Sequence, residues 1–142
     1  MIFNWENGLI WISLDVEYEG QNYNIKNCIV DTGSATTAID IGLVDFNYRK
    51  PAVIKRLHGV GGGVQEVVSQ KVERLVFGEA DLENIEIEFG DLQDDFGING
   101  FIGNDVLSRF LISIDYSKQE IIFKLIQSNL NQILEAWNEH CG

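Results

Sequence analysis

Asp31-Thr32-Gly33-Ser34 is where this 142-residue chain concentrates residue types that can do chemistry. The apolar run Cys28-Ile29-Val30 leads straight into Asp31, and all three threonines of the chain fall at positions 32, 36 and 37. A carboxylate at the end of a buried strand faces desolvation, and it stays ionised only when donors bond to its oxygens. The donors nearest in sequence are the Gly33 and Ser34 amides and the Ser34 hydroxyl, and Gly33 lets the backbone approach closely. An acid held in this way can take a proton from an attacking water. The same four residues also suit an ordinary strand-end turn in which Asp31 accepts backbone amides.

Two further segments bear on the choice. One is Gly97-Ile98-Asn99-Gly100-Phe101-Ile102-Gly103-Asn104-Asp105-Val106-Leu107, followed by Phe110-Leu111-Ile112-Ser113-Ile114-Asp115-Tyr116. The other is Leu57-His58-Gly59-Val60-Gly61-Gly62-Gly63-Val64, whose consecutive glycines leave little side-chain packing and many backbone states, as a mobile tip requires. A phosphate cradle does not fit there, because no Lys follows the glycines and no strand-to-helix context surrounds them.

Taken in order, Val30-Asp31-Thr32-Gly33-Ser34 and the later apolar-apolar-Gly element resemble the retropepsin-like aspartic proteases, over roughly residues 9 to 126. The resemblance implies a single all-β domain over residues 1–142, a closed β-barrel of the acid-protease half type. It implies that Asp31 is the catalytic acid, Thr32 bonds across to a partner's loop, Gly33 is the close-approach position and Ser34 steadies the carboxylate. Phe101-Ile102-Gly103 would be the segment beside which the Asp31 loop is threaded, and His58, Gly59, Val60, Gly61, Gly62 and Gly63 would form the flap over a bound peptide.

Peptide hydrolysis by carboxyl groups needs one carboxylate to accept a proton from water and a neighbouring acid to polarise the carbonyl. The chain has no second Asp-Thr-Gly or Asp-Ser-Gly, so it holds half of such a site, and a two-fold homodimer would supply the rest. Two carboxylates about 3 Å apart repel by about 5 kcal/mol at an effective dielectric of about 20, so the pair would share one proton. The expected function is an aspartic endopeptidase acting on peptide or protein substrates, without cofactor or metal. The alternative is a non-catalytic peptide-binding or assembly domain of the same fold.

Other arrangements are weaker. Cys28 with His58 or His140 has no cysteine-hydrolase motif around it, and Cys28 sits where a small core residue is expected. His140-Cys141 lacks zinc-type spacing to further ligands, and no serine lies in a G-x-S-x-G elbow. Asp94, Asp95, Asp105 and Asp115 read as solvated or capping acids, with Asp105 at a helix N-terminus.

The elements that must position these residues read mostly as strands. Ile10, Ile12, Leu14, Val16 and Tyr18 alternate with Trp11, Ser13, Asp15 and Glu17, predicting a half-buried strand that Glu19-Gly20-Gln21-Asn22 turns back. Strands are further predicted over Tyr23–Val30, Gln65–Phe77, Ile85–Phe89, Leu111–Tyr116 and Glu120–Ile126. Cys28-Ile29-Val30, apolar without alternation, is expected to be buried on both faces. A short helix is predicted near 104–110 and a C-terminal one near 129–139. In the latter, Asn129 is a cap, and Leu130, Ile133, Leu134 and Trp137 form a stripe that packs on this domain or its partner. Dimers of the family it resembles usually interleave terminal strands into one interfacial sheet, whereas a helix is expected here, which leaves the manner of pairing open between a helix that reinforces the dimer and one that blocks it.

Composition narrows the function classes. With 45% hydrophobic and 23% charged residues the chain can bury a continuous core. Ten Lys and Arg against 22 Asp and Glu leave a net charge of −12, which argues against nucleic acid and favours cationic substrates. The N-terminus has no basic start, and Glu6 and Asp15 bracket its apolar stretch, so neither a signal peptide nor a membrane span is expected and a cytoplasmic location follows. Cys28 and Cys141 are too few for a disulfide framework and are read as reduced thiols.

Overall fold

The computed structural model describes residues 1–58 and 64–126. Strand β1, Asn4–Glu6, turns into β2, Leu9–Tyr18, through Asn7 and Gly8 at φ 54° and 74°. β2 turns into β3, Gln21–Val30, through Glu19 and Gly20 at φ 51° and 78°. Two positive-φ residues in a row are what a tight hairpin demands, because that turn follows the right-handed twist of its strands. In β2 the expected alternation holds: Ile10, Ile12, Leu14, Val16 and Tyr18 are buried, while Ser13 and Asp15 face water.

The remaining elements are β4 (Ala38–Asp40), a 3₁₀ turn (Ile41–Leu43), β5 (Val53–His58), β6 (Val64–Phe77) and β7 (Ala80–Gly90). They continue as α1 (Leu92–Phe96), β8 (Gly100–Ile102), α2 (Asn104–Leu107), β9 (Phe110–Asp115) and β10 (Glu120–Leu125). Eight strands form one sheet in the order β1-β2-β3-β8-β4-β7-β6-β5, and β9 and β10 form a separate pair. β2 also pairs with β6 through Asp15↔Val76, Val16↔Leu75 and Glu17↔Arg74, so the sheet curls partly into a ring. The all-β expectation holds, although the ring is less complete than a closed barrel.

Most of the core lies on one side of this sheet. Leu14, Tyr18, Cys28, Ile39, Leu75, Phe89, Ile102 and their neighbours make one apolar cluster. Phe77, Phe110 and Phe123 meet edge to face at 4.8 to 6.0 Å, which fastens the β9–β10 pair to β6. Residues Ala38, Leu92, Ile98 and Phe101 form a second, smaller cluster with Trp11 and Ile29 packed against it. Successive side chains of a strand point to opposite faces, so Cys28 and Val30 join the main core while Ile29 joins the second cluster. Burial on both faces is therefore complete at Cys28 and only partial at Ile29 and Val30.

Several boundaries move. The element expected over Ile85–Phe89 extends back to Ala80, because it pairs along β6 from Phe77↔Ala80 to Val68↔Phe89. The helix expected near 104–110 stops at Leu107, since Phe110 begins β9 opposite Leu125. β1, β4 and α1 carry no periodic signal long enough to read. The N-terminal residues pair within their own chain: Phe3 donates to the Gln119 carbonyl and Ile121 to the Met1 carbonyl, both at 2.9 Å. The helix expected near 129–139, with Asn129, Leu130, Ile133, Leu134 and Trp137, lies outside the described residues, as do His140 and Cys141.

Candidate active site

β3 runs parallel to β8, with Cys28↔Gly100, Ile29↔Phe101 and Val30↔Ile102 in register. The pairing continues one step further, where the Asp31 amide donates to the Ile102 carbonyl at 2.9 Å. Asp31 therefore leaves the sheet at a fixed point, half-buried, with the loop beyond it folded over the start of α2.

That loop is laced to the Phe101-Ile102-Gly103 element from both sides. Asn104 donates its amide to the Ser34 carbonyl at 2.8 Å and its side-chain amide to the Thr32 carbonyl at 2.7 Å. The Asp105 amide donates to the Ala35 carbonyl at 3.1 Å. Thr37, fully buried, donates its hydroxyl to Asp105 Oδ1 at 2.7 Å and accepts the Gly103 amide at 3.0 Å, while its own amide reaches Asp105 Oδ2 at 3.1 Å. Every polar group of buried Thr37 thus has a partner, as burial requires, and both carboxylate oxygens of the exposed Asp105 are engaged as well. Asp105 is a helix-start acid, as its position suggests, but it also clamps the loop that carries Asp31.

Gly103 is the tightest point. A Cβ there would lie 2.0 Å from the Thr36 carbonyl oxygen and 2.8 Å from that of Ser34, so no side chain fits. Gly100, three residues earlier, is tight but less so, at 3.0 Å from both the Ala38 carbonyl oxygen and Cys28 Sγ.

Within the loop, Asp31 Oδ1 accepts the Gly33 amide at 3.0 Å. Ser34 differs from expectation. Its amide donates to the Asp31 carbonyl at 3.2 Å, and its hydroxyl donates to the Thr36 carbonyl at 2.8 Å, so it shapes the turn and does not touch the Asp31 carboxylate. The reason is local: a hydroxyl two residues before a carbonyl closes a compact turn more readily than it reaches back three residues. Thr32 is exposed at the loop surface, where it contributes its carbonyl to Asn104.

Two buried acids escaped the sequence reading. Asp40 accepts the Leu92 and Gln93 amides at 2.8 and 2.9 Å on one oxygen and the Gly42 amide at 3.0 Å on the other, so it caps α1 from a distant strand. Glu88, near the C-terminal end of β7, accepts the Thr36 hydroxyl at 2.8 Å and lies 3.9 Å from the Lys55 ammonium. Burial pushes the Glu88 carboxyl above its ordinary value, against the Thr36 bond and the Lys55 charge, and nearby Asp105 and Glu86 add to the rise. Both acids sit inside apolar stretches, Ala38-Ile39-Asp40-Ile41 and Ile87-Glu88-Phe89, where an interrupting carboxylate is the signal available in sequence.

Cys28 is fully buried, and desolvation pushes its thiol up to about 12, which suits a core residue and not a nucleophile. His58 closes β5 opposite Val64, so the strands of the expected flap are paired. Gly59, Val60, Gly61, Gly62 and Gly63 lie outside the described residues. Among the described residues no three His, Cys, Asp or Glu side chains converge as a metal site, and no helix is long and apolar enough to cross a membrane.

No family model matches the sequence, and no curated protein matches it. The structure is similar to the crystal structure of a retropepsin-like aspartic protease from Rickettsia conorii, with a TM-score of 0.60 over 87% of this chain and 88% of that one at 20% identity. The fold is therefore the all-β retropepsin-like fold.

Proposed function

We propose that this chain is one half of an aspartic endopeptidase, completed by a second copy, in which Asp31 and its symmetry mate share a proton and activate a water between them. The observation that carries the reading is the lacing of the Asp31 loop onto Phe101-Ile102-Gly103, with Gly103 packed against the Thr36 carbonyl too closely for any other residue. The loop is held by backbone and side-chain hydrogen bonds from β8, α2 and Glu88 that leave Asp31 half-buried, an expensive arrangement for a plain turn and an apt one for a preorganised acid.

In this mechanism one Asp31 carboxylate takes a proton from water as the oxygen attacks the scissile carbonyl, while the protonated partner carboxyl donates to the carbonyl oxygen. In this reading Thr32, whose exposure on the loop is compatible with the role, bonds to the partner's loop, and Gly33 donates its amide to one carboxylate oxygen of Asp31. In the same reading His58, Gly59, Val60, Gly61, Gly62 and Gly63, at and after the end of β5 in the sequence, serve as the flap. The substrate lies extended beneath it and pairs through its backbone.

The test is Asp31→Asn with a peptide library, alongside the mass of the chain in solution. Cleavage should fall about 10²- to 10⁴-fold while the free energy of unfolding stays within about 0.5 kcal/mol of the parent. Turnover at the parent's rate, or full activity in a strict monomer, overturns the reading.

A further inference from the structure

Glu88 occupies a place that an ordinary strand would give to an apolar residue. Its strand lies between β4 and β6, with Ala38 and Ser69 as its register partners, and its side chain is 3% exposed. Its two carboxylate oxygens face different parts of the molecule. Oε2 accepts the Thr36 hydroxyl at 2.8 Å, inside the Asp31 loop, and Oε1 lies 3.9 Å from Lys55 Nζ on β5. Among the described residues β5 pairs with β6 alone, from Val53↔Ser69 to His58↔Val64, and stands at one edge of the large sheet. Lys55 therefore reaches across β6 to the one buried carboxylate that also touches the loop.

We propose that Glu88 is a positioning residue that ties the β5 arm of the hairpin to the Asp31 loop, through Lys55 on one oxygen and Thr36 on the other, and that ionisation of Glu88 sets the strength of the tie. The meaning of this tie for catalysis rests on the protease reading above; the tie itself does not.

The surrounding groups define how it responds to pH. From β5 comes Lys55, from α2 Asp105, and from β7 itself Glu86, whose carboxylate accepts the Ser69 hydroxyl of β6. Asp40 on β4 is engaged with the Leu92, Gln93 and Gly42 amides. Asp105 and Glu86 disfavour the Glu88 anion, as burial does, and Lys55 is the cation among these groups that favours it. Once neutral, Glu88 still accepts from Thr36 but no longer attracts Lys55. The Thr36 side of the tie is thus permanent, and the Lys55 side is present only when the carboxyl is ionised.

Amide hydrogen exchange across β5, corrected for the intrinsic pH dependence and followed from about pH 4 to about pH 8, reads this directly. In the parent chain the β5 amides bonded to β6 exchange by local opening of this edge strand with Glu88 still buried, so their protection should rise about threefold through the Glu88 titration, the scale of a half-exposed ion pair, even as global stability falls. Glu88→Gln keeps an acceptor for Thr36 and removes the charge, and Lys55→Gln removes the other partner at a half-exposed site; both should flatten the profile at its low-pH level. A flat profile in the parent, or a step that survives in either variant, overturns the proposal. A chain that shows the step but cuts no peptide keeps the tie and refutes the protease reading, whereas one that cuts peptide without the step does the reverse.

Discussion

Gly103 and Thr36 touch more closely than any substituted pair could, since a Cβ on Gly103 would stand 2.0 Å from the Thr36 carbonyl oxygen and 2.6 Å from its carbon. The neighbours are backbone atoms of a loop already bonded to β8 and α2, and a rigid neighbour cannot step aside. Gly103→Ala should therefore cost about 3 kcal/mol, read from urea unfolding, by dislodging residues 34–37. Gly97 is the control. It has φ 67° and open space where its Cβ would go, so Gly97→Ala should cost only about 1 kcal/mol, from backbone strain alone. Equal costs at the two positions would remove the close-approach argument.

The Thr37–Asp105 pair should behave as a coupled unit. Thr37→Val leaves the Gly103 amide and Asp105 Oδ1 without their buried partner, and a loss of about 2 kcal/mol is expected. In a double-mutant cycle with Asp105→Ala, the pair should show a coupling of about 1 to 2 kcal/mol. Additive losses would mean that Asp105 acts on its helix and not on the loop.

Asp40 serves three amides with two oxygens, a task that asparagine cannot repeat because one of its two positions carries hydrogens. Asp40→Asn, keeping its one oxygen toward Leu92 and Gln93 and its NH₂ toward the Gly42 amide, should lower stability by about 2 to 4 kcal/mol, and the loss of amide protection should be greatest at Gly42. A uniform loss across the sheet, or none, would show that the cap is dispensable.

The raised Glu88 carboxyl gives a signed pH dependence. Its folded value lies above its ordinary value of 4.5, so the fold binds this proton more tightly than the unfolded chain does. The associated stability is fully present below the ordinary value and is lost as pH rises through the raised one. Relative to Glu88→Gln, the parent should therefore lose stability as pH climbs from about 4 to about 8, in paired urea titrations. A difference that is constant, or that grows in the parent's favour with pH, contradicts the assignment.

Cys28, with its thiol pushed up to about 12, should resist alkylation in the native chain at neutral pH and react only on unfolding. Peptide mapping by mass spectrometry, which separates Cys28 from Cys141, checks this. Native-state labelling at Cys28 with an ordinary thiol's rate would place it outside the core.

Local pattern was enough for the long elements. Period-two alternation from Ile10 to Tyr18 commits one face of that segment to the core, and Asp31-Thr32-Gly33 after an apolar run marks a strand end carrying an acid. Apolar residues before Gly103 likewise announce a buried strand that ends at a close contact. Short pieces such as β4 and α1 escape because three to five residues are too few to show a period, and their hydrogen bonds come from elsewhere: β4 from β7 and β8, α1 from Asp40.

What the chain alone determines, then, is which residues are apolar, where the backbone must turn and where an acid is placed under desolvation. Tertiary structure decides the partners. Asp105 holds Thr37 across 68 positions, and Glu88 meets both Thr36 and Lys55. Each of these choices depends on strands far apart in sequence arriving side by side, and a hydrogen bond reaches only about 3 Å, so its partner is settled by packing that no local pattern encodes.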